Sequence, residues 1–152
     1  MNNEFTLERF RYILDQKKNI NNNTFKIVAF YQAFALAIGG AQFSIFRYVF
    51  DKSINLQIAQ SASFALFIIS CLISFFSVLL IICGIASWIN YREEEHEIDS
   101  KFGKSMRDLP GKWSWLKWYE SYIVIAILFS QVAYGFGLRL FIIPTLSSRT
   151  FF

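Results

Sequence analysis

The chain is poor in the residues that catalysis and metal binding draw on. It has one histidine, two cysteines and only 17% charged residues in 152, against roughly a quarter in ordinary soluble domains. A single imidazole leaves most acid–base schemes without a partner, and phosphate loops, zinc spacings and a Ser/His/Asp set are all missing. Cys71 and Cys83 stand 12 residues apart in one apolar run, about 18 Å along a helix, so they cannot bridge within a chain. They read as small packing residues. No catalytic, cofactor-binding or metal-binding residue is assigned, and an enzyme is not expected.

Charges are missing in blocks. Residues 53–91 hold 39 positions without Asp, Glu, Lys or Arg; 27–46 hold 20 and 121–138 hold 18. A bilayer-spanning helix needs about 20 mostly apolar residues. With 55% hydrophobic residues, 19% aromatics and a mean hydropathy of +0.37, the composition agrees. A soluble bundle helix would keep a polar face, but these segments are apolar all round. Membrane β-strands would alternate, and Val78-Leu79-Leu80-Ile81-Ile82 does not. A cleaved secretory signal is excluded by the 24 largely polar residues before the first apolar run.

The expected fold is an all-α integral membrane protein. Three transmembrane helices follow a short amphipathic N-terminal helix, and the whole forms an oligomeric helical bundle. The boundaries are 1–24 for the cytoplasmic amphipathic helix and linker, 25–49, 63–89 and 120–143 for the spans. Residues 50–62 form an external loop, 90–119 a cytoplasmic loop and 144–152 an external tail. The N-terminal segment and the 91–118 loop carry eleven Lys and Arg, against four (Arg47, Lys52, Arg139 and Arg149) on the other side. The positive-inside rule then puts the N-terminus in the cytoplasm and the C-terminus outside, and the expected setting is a bacterial inner membrane.

Within residues 4–18, Leu7, Phe10, Ile13, Leu14 and Lys17 share one face, while Arg9, Arg11, Lys17 and Lys18 can meet anionic headgroups. A cytosolic helix packed on the 91–118 loop fits the same pattern. The run Asn19–Thr24 is expected to break this helix and cap the first span. The loop carries acidic Glu93–Glu97, basic Lys101–Arg107, a Pro110-Gly111 break, and Trp113, Trp115, Trp118 and Tyr119 as an interfacial belt. Glu93-x-x-His96 has di-iron spacing, but it lacks a second copy and reads as a solvated charge cluster. Charges on 91–118 balance, so the net +4 reflects topology and no nucleic acid binding is expected.

Small and weakly polar residues inside the spans are the informative ones. Ser63, Ser70, Ser77 and Gly84 recur every seven positions, with Ser74 one turn from Ser70. The first span carries Ala33, Ala37 and Gly40, adjoined by a stripe with Gln32 and Gln42; the third carries Ala126, Ser130, Ala133 and Gly137, with Ile127 off that stripe. Such faces let helix backbones approach closely in lipid. Either the serines line a water path in a homo-oligomer, or they pack dry with hydroxyls bonded back to their own helix. Arg47 and Arg139 near the outer span ends would make a positive rim in an oligomer, with snorkelling as the ordinary explanation.

The functional expectation is a small oligomeric inner-membrane protein, acting as a gated pore or as an effector or anchor for a cytosolic partner. That partner would be met through 91–118 and the N-terminal helix; no cofactor is implied. In architecture and composition the chain resembles membrane effectors of abortive-infection and anti-phage systems. The rivals are a non-conducting immunity or exclusion protein and an accessory subunit of a larger complex.

Overall fold

The computed structural model describes residues 3–101, 114–142 and 144. The described chain is helical, without strands. Helix α1 runs Asn3–Phe50, α2 Leu56–Lys101 and α3 Tyr119–Gly137; a 3-10 turn at Ser114–Lys117 precedes α3 and a π-helical stretch, Leu138–Ile142, follows it. All three long helices are long and apolar enough to cross a membrane. Lys104, Arg107, Pro110-Gly111, Trp113 and the tail beyond Pro144 lie outside the described residues.

Three helix limits differ from the expectation. No break occurs at Asn19–Thr24, because α1 is continuous through it. Each of the four asparagines disfavours a helix interior by only about half a kcal/mol relative to alanine, roughly 2 kcal/mol together, and contacts offset that here. Ile20 lies against Gly84, Asn21 accepts a hydrogen bond from the Tyr119 hydroxyl, and buried Thr24 donates to the Ile20 carbonyl at 3.2 Å. Similarly, α2 extends past residue 89 to Lys101 where a loop was expected. Its polar end, Arg92–Glu97, is rich in good helix formers.

The α1–α2 connection is also shorter than expected, since residues 56–62 are helical. The Ser53 amide donates to the Tyr48 carbonyl at 2.9 Å and the Lys52 amide to that of Val49 at 3.1 Å. This is the double-bonded helix stop that normally uses glycine. Here Lys52 takes the left-handed conformation, with φ 55°. Asn55 then caps α2, its Oδ1 accepting from the Gln57 amide at 3.2 Å. Lys52→Gly is expected to raise stability by about 0.5–1 kcal/mol, because relief of the left-handed conformation exceeds the added freedom of the unfolded chain. Thermal unfolding in detergent checks this; a midpoint that fails to rise would show that Lys52 is unstrained there.

Contacts divide the chain into two units, Met1–Val28 with Leu79–Val124, and Ala29–Val78 with Ile125–Phe152. In the first, Ile13, Ile81 and Ile85 are buried; in the second, Ile38, Ala59, Ile127 and Leu138 are. On α2 the buried positions Ala59, Ser63, Ser74, Ser77, Ile81 and Ile85 trace one face. That face is small and polar near its middle, while large side chains turn outward. Leu36 is 78% exposed, Phe43 71% and Phe129 73%.

Candidate functional site

In the unit Ala29–Val78 with Ile125–Phe152, the helices are joined by a polar seam. Gln42 Nε2 donates to Ser63 Oγ at 2.9 Å, and both residues are buried. The Tyr134 hydroxyl donates to Gln42 Oε1 at 3.3 Å, and its ring packs on Phe67 at 5.7 Å. Gln131 is the second hub. Its Oε1 accepts from Ser70 at 2.8 Å and from Ser74 at 2.9 Å, while Nε2 donates to Cys71 Sγ at 3.2 Å. Ser130 gives its proton to the Ile127 carbonyl at 2.8 Å, so at 2.6 Å the Tyr31 hydroxyl is the donor to Ser130 Oγ. So α1 and α3 each contribute an amide or phenol that meets a serine of another helix, and α2 supplies the serines Ser63, Ser70 and Ser74.

The unit Met1–Val28 with Leu79–Val124 carries the charge. Arg9 grips Glu94 with two bonds, at 2.6 and 3.0 Å. Lys17 and Arg92 both donate to Glu95 Oε2, Arg92 at 2.7 Å. The three side chains of this triad are only 10–12% exposed. Burial alone would push the Glu95 carboxyl up, but the bonds from Lys17 and Arg92 outweigh it and hold the carboxyl below its usual range. Lys17 Nζ also lies 4.9 Å from the Trp88 ring centre, and Trp88 packs edge-on against Trp118 at 4.5 Å. Tyr119 stacks on Phe25 at 5.8 Å.

Beside this triad is an open cleft of about 700 Å³, lined by Lys17, Lys18, Asn21, Trp88, Lys117, Trp118, Tyr119 and Glu120. Two of its lysines, Lys18 and Lys117, are exposed and enter no ion pair among the described residues. Outside the cleft, His96 Nδ1 is enclosed and has no hydrogen-bond partner among the described residues, and Glu93 is exposed. Among the described residues no group of three His, Cys, Asp or Glu could hold a metal ion.

The residues singled out from sequence fall into two groups. Ser63, Ser70, Ser74, Ser77, Gly84 and Gln42 lie on packed faces: Ser77 is buried, and a Cβ on Gly84 would meet Ile20 at 3.5 Å. Gln32, Ala33, Ala37, Gly40, Ala126 and Ala133 face outward, and nothing lies within 4 Å of a Cβ built on Gly40 or Gly137. Ile127, off the small stripe of α3, is buried at 3% exposure. So α3 packs within the chain through the face carrying Ile127 and Gln131, and most of its small stripe is left open. Arg47 and Arg139 are exposed, Arg47 reaching Asp51 at 3.8 Å. Sequence reading missed Gln131, Tyr31 and Tyr134, and missed that Glu95 joins Lys17 to Arg92.

Compared with known protein families, curated proteins and solved structures, the chain matches none.

Proposed function

We propose that the protein is a three-span inner-membrane protein of bacterial type that acts as a membrane effector or anchor for a cytosolic partner. Its N-terminus and the 91–118 segment face the cytoplasm and its C-terminus faces outside. Side chains as large as Leu36, Phe43 and Phe129, exposed within charge-free runs, would be unfavourable in water by roughly 1.5–3 kcal/mol each and are at home in lipid. One observation favours the anchor over the pore: the hydroxyls of Ser63, Ser70 and Ser74 are engaged by Gln42 and Gln131. A hydroxyl held inside a seam between helices of one chain does not line a water path.

Self-association is part of the reading. Gln32 is exposed in an apolar run, and its amide has no bond among the described residues. An amide in hydrocarbon favours a partner, and the open Ala33, Ala37 and Gly40 face beside it permits close approach of a second copy. Gln32→Leu is expected to weaken the homo-oligomer in mild detergent, measured by size-exclusion chromatography with light scattering, while Ala126→Leu disturbs it less. Unchanged oligomer size in Gln32→Leu would remove α1 from the interface.

The same exposed amide supports the second reading, a gated pore lined by α1 of several copies. Wild-type protein in liposomes is expected to pass no ions, and its induced expression to leave the membrane potential intact. Flux that Gln32→Leu abolishes without dissociating the oligomer would reverse the choice. An abortive-infection effector is one setting that suits an anchor; an immunity protein or an accessory subunit is distinguished by binding a membrane partner instead of a cytosolic one. For the orientation, a cysteine at Asn55 is expected to react with an impermeant thiol reagent added to intact cells, and one at Ser105 is not. Labelling at Ser105 would invert or break the three-span arrangement.

A further inference from the structure

We propose that the cleft formed by Lys17, Lys18, Asn21, Trp88 and Lys117–Glu120 is a binding site for the phosphate headgroup of an anionic phospholipid. This inference rests on the membrane reading above. The cleft lies where the apolar runs meet polar sequence: Phe25 opens that of α1, Trp88 and Ile89 close that of α2, and Glu120 precedes that of α3. A ligand there sits at headgroup depth. Tryptophan and tyrosine rings, apolar in body and polar at one tip, favour that depth.

Charge selects the ligand. Glu95 is shared by Lys17 and Arg92, which leaves one positive charge over in the triad. Lys18 and Lys117 add two without ion-pair partners among the described residues, and Glu120 is the one carboxylate in the lining. Cations therefore outnumber acids, which suits a phosphodiester of net negative charge. Asn21 is already oriented, because its Oδ1 accepts from Tyr119 and its amide N–H groups remain to donate to a phosphate oxygen. Glu120 can accept from a headgroup hydroxyl such as that of glycerol. At about 700 Å³ the cleft is within the range of small-molecule sites and open enough for acyl chains to leave it.

The test uses the purified full chain in detergent with an equal mixture of phosphatidylglycerol and phosphatidylcholine, bound lipid being read by native mass spectrometry. Phosphatidylglycerol is expected to be retained about tenfold over phosphatidylcholine, since each lysine near such a headgroup contributes several-fold. The double variant Lys18→Gln with Lys117→Gln should lose that preference, and Lys26→Gln, outside the cleft, should keep it. Equal retention of the two lipids by wild type, or an undiminished preference in the double variant, would overturn the site. Loss of preference in Lys26→Gln would also overturn it, by showing a diffuse basic surface. Displacement of lipid by millimolar inorganic phosphate would assign the cleft to a free anion instead. Failure of the membrane reading is separately visible, as protein that leaves membranes in a salt wash without detergent.

Discussion

Glu95→Ala is expected to lower the stability of the detergent-solubilised protein by about 3 kcal/mol, measured by denaturant unfolding in micelles. Removing the carboxylate leaves Lys17 and Arg92, each 12% exposed, without the anion that both ligate. Breaking a buried pair usually costs about 3–5 kcal/mol; the lower end applies because long basic side chains can move their heads toward water. Replacing all three together, with Lys17→Met, Arg92→Leu and Glu95→Leu, is expected to recover most of the loss, since no charge is then stranded. If the triple variant is no better than Glu95→Ala, the triad contributes attraction well beyond its desolvation, and the stranded-charge account is wrong.

The same triad sets a pH dependence. The Glu95 carboxyl is held below its usual range in the folded chain, so the unfolded chain binds the proton more readily. Its stabilisation is therefore complete above the unfolded carboxyl's value, about 4.3, and is lost as pH falls through the lower native value. Between pH 7 and 5 the contribution of this group should be flat. On further acidification the wild type should fall toward Glu95→Gln, whose own midpoint lacks this component.

How much of this was legible beforehand depended on the range of the interaction. The apolar runs and the seven-residue serine recurrence are local, and periodicity alone puts Ser63, Ser70, Ser77 and Gly84 on one face. What that face meets is not local. Lys17 and Glu95 are 78 residues apart, and each stands in a charged cluster that reads equally well as solvated. Asn19–Thr24 carries a strong breaker pattern that Ile20, Asn21 and Thr24 override only through contacts with α2, Tyr119 and their own helix. In α3 the small residues mark a face that, apart from Ser130, stays open within the chain, while Ile127 and Gln131 make its contacts. The available signal was Gln131, an amide in the middle of an 18-residue uncharged run, where an unbonded amide is costly. The same rule that singles out Gln32 and Gln42 in α1 points, in α3, to this hub.

That hub gives the second large effect. Gln131→Leu is expected to destabilise by about 1–2 kcal/mol in micelles, the range of a few interhelical hydrogen bonds in a membrane protein. The loss is moderate because Ser70 and Ser74 can turn back to carbonyls of their own helix once Oε1 is gone. The serines should behave differently singly and together. After Ser70→Ala or Ser74→Ala the remaining hydroxyl still serves Gln131 Oε1, so each single change should cost about half a kcal/mol or less. After both, the half-buried amide oxygen has no donor, so the double variant should cost more than the two singles added. This positive coupling belongs to one shared acceptor in a dry seam. Were the two hydroxyls facing water instead, solvent would replace each of them, and the effects would simply add. A double-mutant cycle on Ser70 and Ser74 with no coupling, together with a silent Gln131→Leu, would undo the seam and restore the serine face as the lining of a water path.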